Sequence, residues 1–269
     1  MHPTTGLEAG RGDTPRLTVR YAALTDLGLV RSRNEDCLVV DGWVAQGAHH
    51  SYQGTGESIW TAAVLDGLGG HGGGDVASLL GASVLAEHLR TLDVNDPHQA
   101  YREVLLAASG RIRSIARDTS SLVGMGATAV ALVLGYDAYT VCNIGDARAY
   151  RVYQGAYLAQ LSIDDRSSAV SNVVTQALGL PLNPECDVHH YRLPLDAPTL
   201  ILLCSDGLTD VVGDDELRTA LRALPSQPQA DDLATALDTL LELVRTGGAP
   251  DNVTMVLVAV EPDPEGRTP

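Results

Sequence analysis

The segment IWTAAVLDGLGGHGGGD, from Ile59 to Asp75, sets the architecture of this chain. Its first part, Ile59 to Leu65, is a short apolar run bounded by turn residues and too short for a helix, so it predicts a buried strand. The strand ends on Asp66, and six of the eight residues 67–74 are glycine. Because glycine has no Cβ, backbone carbonyls and amides can approach a ligand there. The segment therefore predicts a carboxylate and accessible backbone at one edge of a sheet.

Three further segments place an acidic residue where an apolar strand meets a turn. They are Glu35-Asp36, Asp206-Gly207 and Asp251-Asn252. Side chains at strand ends on a common rim can converge, and oxygen ligands without His or Cys select Mg²⁺ or Mn²⁺ over zinc. Two such ions close together activate a water and clamp a phosphoryl group, so that no protein nucleophile is needed. The acidic segments therefore predict a site for Mg²⁺ or Mn²⁺.

Composition favours one domain. The chain has 269 residues, of which 45% are hydrophobic, and this is ample for a single core. We interpret residues 1–16 as a flexible tail, residues 17–260 as the domain and residues 261–269 as a second tail, because both ends lack hydrophobic periodicity.

Charge and cysteine content narrow the classes of partner. The formal net charge is −16 and the chain contains no Lys, which argues against nucleic acid. Four scattered cysteines without a C-x-x-C pair fit a reducing cytosol better than a disulfide framework. We find no N-terminal signal and no apolar run long enough to span a bilayer. We therefore expect a cytoplasmic monomer with no membrane partner.

The predicted elements occur in groups. The strands are expected at 17–24, 37–40, 59–65, 127–134, 139–144, 147–152, 157–161, 188–193, 199–204 and 253–260. Helices are expected from an N-cap at Asp75 to about Arg90, after Pro97, and twice between Leu217 and Val244. Residues 41–58 and 162–171 are interpreted as loops, and the four strands between 127 and 161 as an antiparallel meander. This order predicts an α+β sandwich of two antiparallel sheets flanked by helices.

Six segments, in order from about Leu17 to Val260, resemble the motif series of the PP2C (PPM) metal-dependent Ser/Thr protein phosphatases of bacterial type. They are GLVRSRNED, VLDGLGGHGGGDVAS, GATAV, NIGDARAY, CSDGLTD and APDNVT. Each alone is a weak signal, whereas six in sequence are strong. The resemblance implies a four-layer α-β-β-α sandwich with two Mn²⁺ or Mg²⁺ ions that hydrolyses phosphoserine and phosphothreonine in proteins. It also implies, as partners, a Ser/Thr kinase and its substrates.

The resemblance assigns the metal ligands residue by residue. Asp66 would bridge both ions, the Gly67 carbonyl oxygen would bind one of them, and Asp206 and Asp251 would complete the other. The family's acidic pair is matched by Glu35 and Asp36, of which Asp36 is the favoured ligand. A third, looser ion is implied at Asp146.

The resemblance also assigns residues that do not bind metal. Arg31 would hold the phosphate by a charge-assisted fork, and Asn252 would orient Asp251. Where some family members have a His two residues after the bridging Asp, this chain has Leu68; the nearby His71 is either the general acid or a cap of the glycine turn.

The segment 162–171 is shorter than the family's usual flap, which leaves substrate selection and the partner of a third ion open. Asp164 or Asp165 is a candidate for that partner, but a solvated loop acid is the favoured interpretation of both.

Two alternative functions remain open at this point. Cys142 and Arg148 have the C-x5-R spacing of cysteine-dependent phosphatases, but Asp146 inside the loop would repel a phosphate dianion and raise the thiol pKa. A phosphatase-like binding module without turnover is the other alternative. It is disfavoured because the acidic ligands are all present.

Overall fold

The computed structural model describes residues 17–57, 59–69, 72–91, 97–153, 157–167, 173–180 and 189–262. The strands in these ranges are β1 (Leu17–Asp26), β2 (Asp36–Val40), β3 (Trp43–Ala45), β4 (His49–Gly56), β5 (Trp60–Leu68), β6 (Gly126–Ala127), β7 (Ala129–Leu134), β8 (Ala138–Ile144), β9 (Arg148–Val152), β10 (Leu158–Gln160), β11 (His189–Pro194), β12 (Thr199–Cys204) and β13 (Val253–Pro262). The α-helices are α1 (Gly74–His88), α2 (Pro97–Asp118), α3 (Asp206–Thr209), α4 (Asp214–Leu221) and α5 (Ala230–Thr246).

The strands form two antiparallel sheets. One has the order β10-β9-β12-β13-β1-β4, and the other has the order β11-β8-β7-β5-β2-β3, with β6 paired to β5. Strand β13 lies between β1 and β12, where its ten residues Val253–Pro262 pair along their length with β1. The closing strand is therefore central to the first sheet, as its continuous apolar sequence requires.

Three apolar clusters hold four layers together. The first fills the space between the two sheets, with Val64 and Val130 from one and Val256 from the other. The second packs α4 and α5 on the outer face of the first sheet, and the third packs α1 and α2 on the second sheet. A sheet buried on both faces needs apolar residues at successive positions, and β7 and β12 are buried at every residue. The predicted four-layer α-β-β-α sandwich is confirmed.

The predicted loop at 41–58 is wrong, because it contains β3 and the eight-residue strand β4. Strand β4 pairs with β1 at the edge of its sheet, and most of its side chains are exposed. An edge strand of this kind is held by backbone hydrogen bonds and needs no apolar alternation. Its polar, Gly-containing sequence therefore carries no strand signal.

The predicted meander between 127 and 161 is also wrong in its topology. Strands β7 and β8 pair in one sheet, whereas β9 pairs with β10 and β12 in the other. The chain changes sheet at the turn 145–147, where Gly145 has φ +90°. A glycine in this left-handed region permits a turn that other residues adopt only with strain. This crossing brings Asp146 to the rim shared by the sheets.

Three smaller features of the secondary structure differ from the predicted ones. Helix α1 begins at Gly74, so Asp75 lies in its first turn and is not the N-cap. In the segment 162–171, which is predicted as a loop, Arg166 forms an isolated β-bridge with Val174 beyond it. Strand β13 extends to Pro262, two residues past the predicted end of that strand. Among the helices of the described ranges, none is both long and apolar enough to cross a membrane.

Candidate metal centre

The four acidic segments meet at one rim of the sandwich. Asp36 begins β2 and Asp66 lies near the end of β5, and their Cα atoms are direct partners in the sheet. In the other sheet, Asp206 follows the end of β12 and Asp251 precedes the start of β13; the backbone N–H of Ser205 bonds to the Thr254 carbonyl at 2.9 Å. The carboxylates of Asp66 and Asp206 lie near enough that each affects the pKa of the other. The two sheets thus bring carboxylates from distant parts of the chain together.

These carboxylates are costly to ionise together. Burial raises the pKa of Asp36 to about 7, and the charges of Asp206 and Asp251 add to the effect. Burial and the neighbouring Asp36 and Asp206 carboxylates raise the pKa of Asp66 well above its ordinary value. The pKa of Asp206 is raised to about 6, first by burial and then by Asp146. A bound divalent cation would offset this repulsion and displace the protons.

Sequence reasoning missed two residues that hold Asp36. The Ser205 hydroxyl donates to Asp36 Oδ2 at 2.7 Å and accepts from the Thr254 backbone N–H at 3.0 Å. The Asn34 side chain accepts from the Asp36 backbone N–H at 3.0 Å. Both lie next to a predicted acidic residue in the sequence, but their partners are set by contacts between strands. Nothing in the local pattern marks them.

Asn252 connects the segments rather than touching the Asp251 carboxylate with its side chain. Its amide donates to the carbonyls of Leu27 and Arg33 at 2.9 and 3.0 Å, and its Oδ1 accepts from the Glu35 backbone N–H at 2.8 Å. The Asp251 carboxylate accepts from the backbone N–H of Asn252 at 2.8 Å. The side chain thereby fixes the loop 27–35 against the start of β13.

The fixed loop carries Arg31 to the acidic rim. Its Nη2 donates to Asp251 Oδ2 at 2.5 Å, and its Nη1 lies 3.8 Å from Glu35 Oε2. The Arg31 side chain is partly exposed, so its guanidinium is accessible from solvent. Burial raises the pKa of Glu35, and the charge of Arg31 opposes this shift.

Two glycines at the rim are required by close backbone contacts. A Cβ on Gly67 would lie 2.1 Å from the Gly74 carbonyl oxygen, and one on Gly207 would lie 1.9 Å from that of Asn252. Each glycine follows a predicted metal ligand directly. The close packing therefore fixes the backbone that carries Asp66 and Asp206.

We expect Gly207→Ala to lower the free energy of unfolding by about 2 kcal/mol or more, because a methyl group there must push the backbone of Asn252 away. Gly110→Ala in α2 is the matched control. Its Cβ would meet no atom within 4 Å, so it should be neutral or stabilise the helix by about 0.5–1 kcal/mol. Urea unfolding of both variants measures the difference. Equal stability of the two variants would contradict the expectation.

Asp146 lies at the rim but is paired with an arginine. Arg166 Nε donates to Asp146 Oδ2 at 2.7 Å. Burial raises the pKa of Asp146, while the charge of Arg166 opposes the shift. The prediction that Asp164 and Asp165 are solvated loop acids is wrong. Asp165 is buried and accepts from the Gly145 backbone N–H at 2.8 Å, and Asp164 forms an ion pair with Arg148 at 2.6 Å.

The geometry excludes the cysteine-dependent alternative. Cys142 lies in the apolar cluster between the second sheet and its helices, whereas Arg148 begins β9 in the other sheet. Burial raises the pKa of the Cys142 thiol far above its ordinary value. Arg148 is held by Asp164 and by the Tyr150 hydroxyl. A buried, protonated thiol cannot serve as the attacking thiolate.

The centre supplies the hard oxygen donors that Mg²⁺ and Mn²⁺ prefer. Among the described residues, no three His, Cys, Asp or Glu side chains are oriented as ligands of one ion. The carboxylates are close together, but two of them hold protein partners: Asp251 accepts from Arg31, and Asp146 accepts from Arg166. The donor set and the raised pKa values fit divalent cations. The predicted general acid, His71, lies outside the described residues.

The two-sheet sandwich with an acidic rim defines the class of protein. The family model "Protein phosphatase 2C" matches residues 39–242, and the chain belongs to this family. The family predicted from the sequence motifs is thereby confirmed.

Particular relatives are bacterial Ser/Thr phosphatases. The serine/threonine protein phosphatase PstP of Mycobacterium tuberculosis is 32% identical over 94% of this chain and 47% of its own length. This chain therefore spans about half of PstP. The serine/threonine phosphatase stp of Listeria monocytogenes is 28% identical over 90% of this chain and 96% of its own length. The crystal structure of the PstP catalytic domain in complex with two manganese ions matches with a TM-score of 0.73 and 30% identity, covering 91% of this chain and 99% of that chain.

Proposed function

We propose that this chain is a protein serine/threonine phosphatase that uses two Mn²⁺ or Mg²⁺ ions. One observation carries the proposal: Asp36 of β2 is paired with Asp66 of β5, and Asp206, which begins α3 just after β12, lies at the same rim. Burial and neighbouring carboxylates raise the pKa of all three, and a bound divalent cation would relieve this repulsion. The two manganese ions in the PstP catalytic domain support the choice of metal.

The proposed ligands follow from position at the rim. We infer that Asp66, with the Gly67 carbonyl next to it, would be the ligand shared by the ions, because its carboxylate is buried and interacts with the charges of Asp36, Asp206 and Asp251. Asp206 and Asp251 would complete the ligand set. Asp36 is the proposed ligand of the acidic pair, since its Cα is paired with that of Asp66. The bound ions would supply the activation of water and the neutralisation of phosphoryl charge.

The chain's own residues position the substrate and the ligands. Arg31 is partly exposed, and we propose that it exchanges Asp251 for a phosphate dianion, to which a guanidinium can donate two parallel hydrogen bonds. Ser205 holds Asp36 by a hydrogen bond to one carboxylate oxygen. Asn252 keeps the Arg31 loop in register with Asp251.

We propose phosphorylated proteins as substrates, including a Ser/Thr kinase and the proteins that it phosphorylates. The bacterial Ser/Thr phosphatases among the relatives support this class. We also propose that the chain acts as a monomer in the cytoplasm, where the buried cysteines Cys37, Cys142 and Cys204 would remain thiols.

The test measures phosphate release from a phosphothreonine peptide by the wild-type chain in three conditions: with Mn²⁺, with Mg²⁺ and with EDTA. The chain is present at about 1 μM and each metal at about 1 mM, near typical Kd and KM values. We expect release with either metal and none with EDTA, restored by excess Mn²⁺. Cys142→Ala is the control for a thiol mechanism and should retain the wild-type rate. Metal-independent release would overturn the proposed mechanism, and no release under any condition would favour a binding module without turnover.

A further inference from the structure

The guanidinium of Arg166 is enclosed by three carboxylates of the centre. Its Nε lies 2.7 Å from Asp146 Oδ2, and its Nη2 lies 3.2 Å from Asp210 Oδ1 and 3.5 Å from Asp206 Oδ2. Only 10% of the side chain is exposed. An arginine is rarely buried to this extent without counter-charges. The three carboxylates therefore account for its position.

The backbone next to Arg166 also contributes to its position. The preceding residue, Asp165, donates its backbone N–H to the Gly145 carbonyl at 2.9 Å and accepts from the Gly145 N–H with its carboxylate at 2.8 Å. Its other carboxylate oxygen bonds to His189 Nε2 and to Gln176 Nε2, both at 3.0 Å. Asp165 thus fastens the segment to the turn that carries Asp146. Arg166 follows directly and is placed beside Asp146.

A cation beside Asp146 therefore already exists within the chain. Asp146 uses Oδ2 to accept from Arg166, and its carboxylate is almost fully buried. A divalent ion bound to the same carboxylate would lie within a few ångströms of the guanidinium. At such a distance two positive charges repel strongly, even at the dielectric constant effective near a protein surface.

We propose that Arg166 is a positioning residue that takes the place of a third metal ion beside Asp146. It neutralises Asp146 and Asp210 and limits the centre to the two ions at Asp66. This inference rests on the proposed function, since it concerns the stoichiometry of the same centre. The guanidinium of Arg166 then occupies the position beside Asp146 at which the sequence resemblance implies a third, looser ion.

The test counts Mn²⁺ ions bound per chain, from the electron paramagnetic resonance signal of free Mn²⁺ during a titration. We expect the wild type to bind two ions and Arg166→Gln to bind a third, at least roughly tenfold more tightly than any third ion in the wild type. Arg166→Lys keeps the charge and should remain at two. Arg192→Gln removes the same charge from the exposed edge strand β11 and should also remain at two.

The outcomes separate this inference from the proposed function. A wild type that binds no Mn²⁺ would contradict the proposed metal centre itself. If the wild type binds two ions and Arg166→Gln also binds two with unchanged affinities, Arg166 does not replace an ion and only this inference fails. A wild type that binds three ions also overturns this inference. Because that count is made on the wild type, it tests the inference even if Arg166→Gln does not fold. Melting curves by circular dichroism establish that each variant is folded.

Discussion

Asp66→Asn is expected to lower Mn²⁺-stimulated phosphate release by roughly a thousandfold, the upper range for loss of one electrostatic catalytic group. Asp66 is the proposed bridging ligand and lies between Asp36 and Asp206. An amide has no negative charge to hold two cations together, so both proposed ion positions should weaken. The measurement is kcat/KM for a phosphothreonine peptide across a range of Mn²⁺ concentrations.

The same substitution should stabilise the protein in EDTA at neutral pH. The pKa of Asp66 is raised by burial and by its acidic neighbours, so between its unfolded and folded pKa values the folded state binds more protons than the unfolded state. The stability of the wild type must then fall as pH rises from about 4 through the folded pKa values, which reach about 6 for Asp206 and about 7 for Asp36. Asp66→Asn removes one of these acids, so the free energy of unfolding decreases less as pH rises. We therefore expect Tm at pH 7.5 to rise by a few degrees.

Asp137→Asn is the matched control for both measurements. This substitution makes the same change of atoms and charge, but on a side chain that is 79% exposed, in the turn before β8. It should leave Mn²⁺-stimulated release and Tm close to the wild-type values. If Asp66→Asn keeps its activity, Asp66 is not the bridging ligand. If Asp66→Asn melts below the wild type in EDTA, Asp66 is not a source of repulsion in the rim.

Arg31→Ala is expected to lower kcat/KM roughly 10- to 100-fold, because a hydrogen bond to a charged group contributes about 1.5–3 kcal/mol. The inhibition constant for inorganic phosphate should rise in parallel, since product and substrate share the dianion. Arg31→Lys should recover part of the loss, because it restores the charge without the two-pronged geometry. Steady-state kinetics with phosphate as the inhibitor measures both quantities for the wild type and the two variants.

Arg33→Ala is the control on the same loop. Arg33 is 66% exposed and contacts Asp75 at 3.4 Å, a distance at which an exposed ion pair contributes little. We expect its kinetics to stay close to those of the wild type. If Arg31→Ala behaves like Arg33→Ala, the role of Arg31 is limited to its ion pair with Asp251.

Much of the fold could be predicted from the local pattern because its strands are buried on both faces. Apolar runs such as those of β5 and β12 are unambiguous when turn residues bound them. The edge strand β4 could not be found, since its residues face solvent and its order depends on β1. The sheet change after β8 was also hidden, because a short Gly-containing turn has the same local sequence in a hairpin and in a crossing.

The acidic residues of the centre could be listed from the sequence, but their partners could not. Ser205, Arg166 and Asp210 act through contacts with residues far away in the chain, and each has an ordinary local sequence. The environment of Asp165 also could not be predicted from the local sequence. A polar loop sequence predicts a solvated acid, whereas the turn at Gly145 and His189 encloses it.

The layers, the family and the carboxylates at strand ends can be predicted from the sequence, because burial and glycine turns leave periodic or positional signals along the chain. The three-dimensional fold establishes which charges face one another. It raised the pKa values of Asp36 and Asp66, paired Arg31 with Asp251 and placed Arg166 beside Asp146. The reason is that electrostatic interactions depend on distances in space and on local burial, and neither is encoded in the separation of residues along the chain.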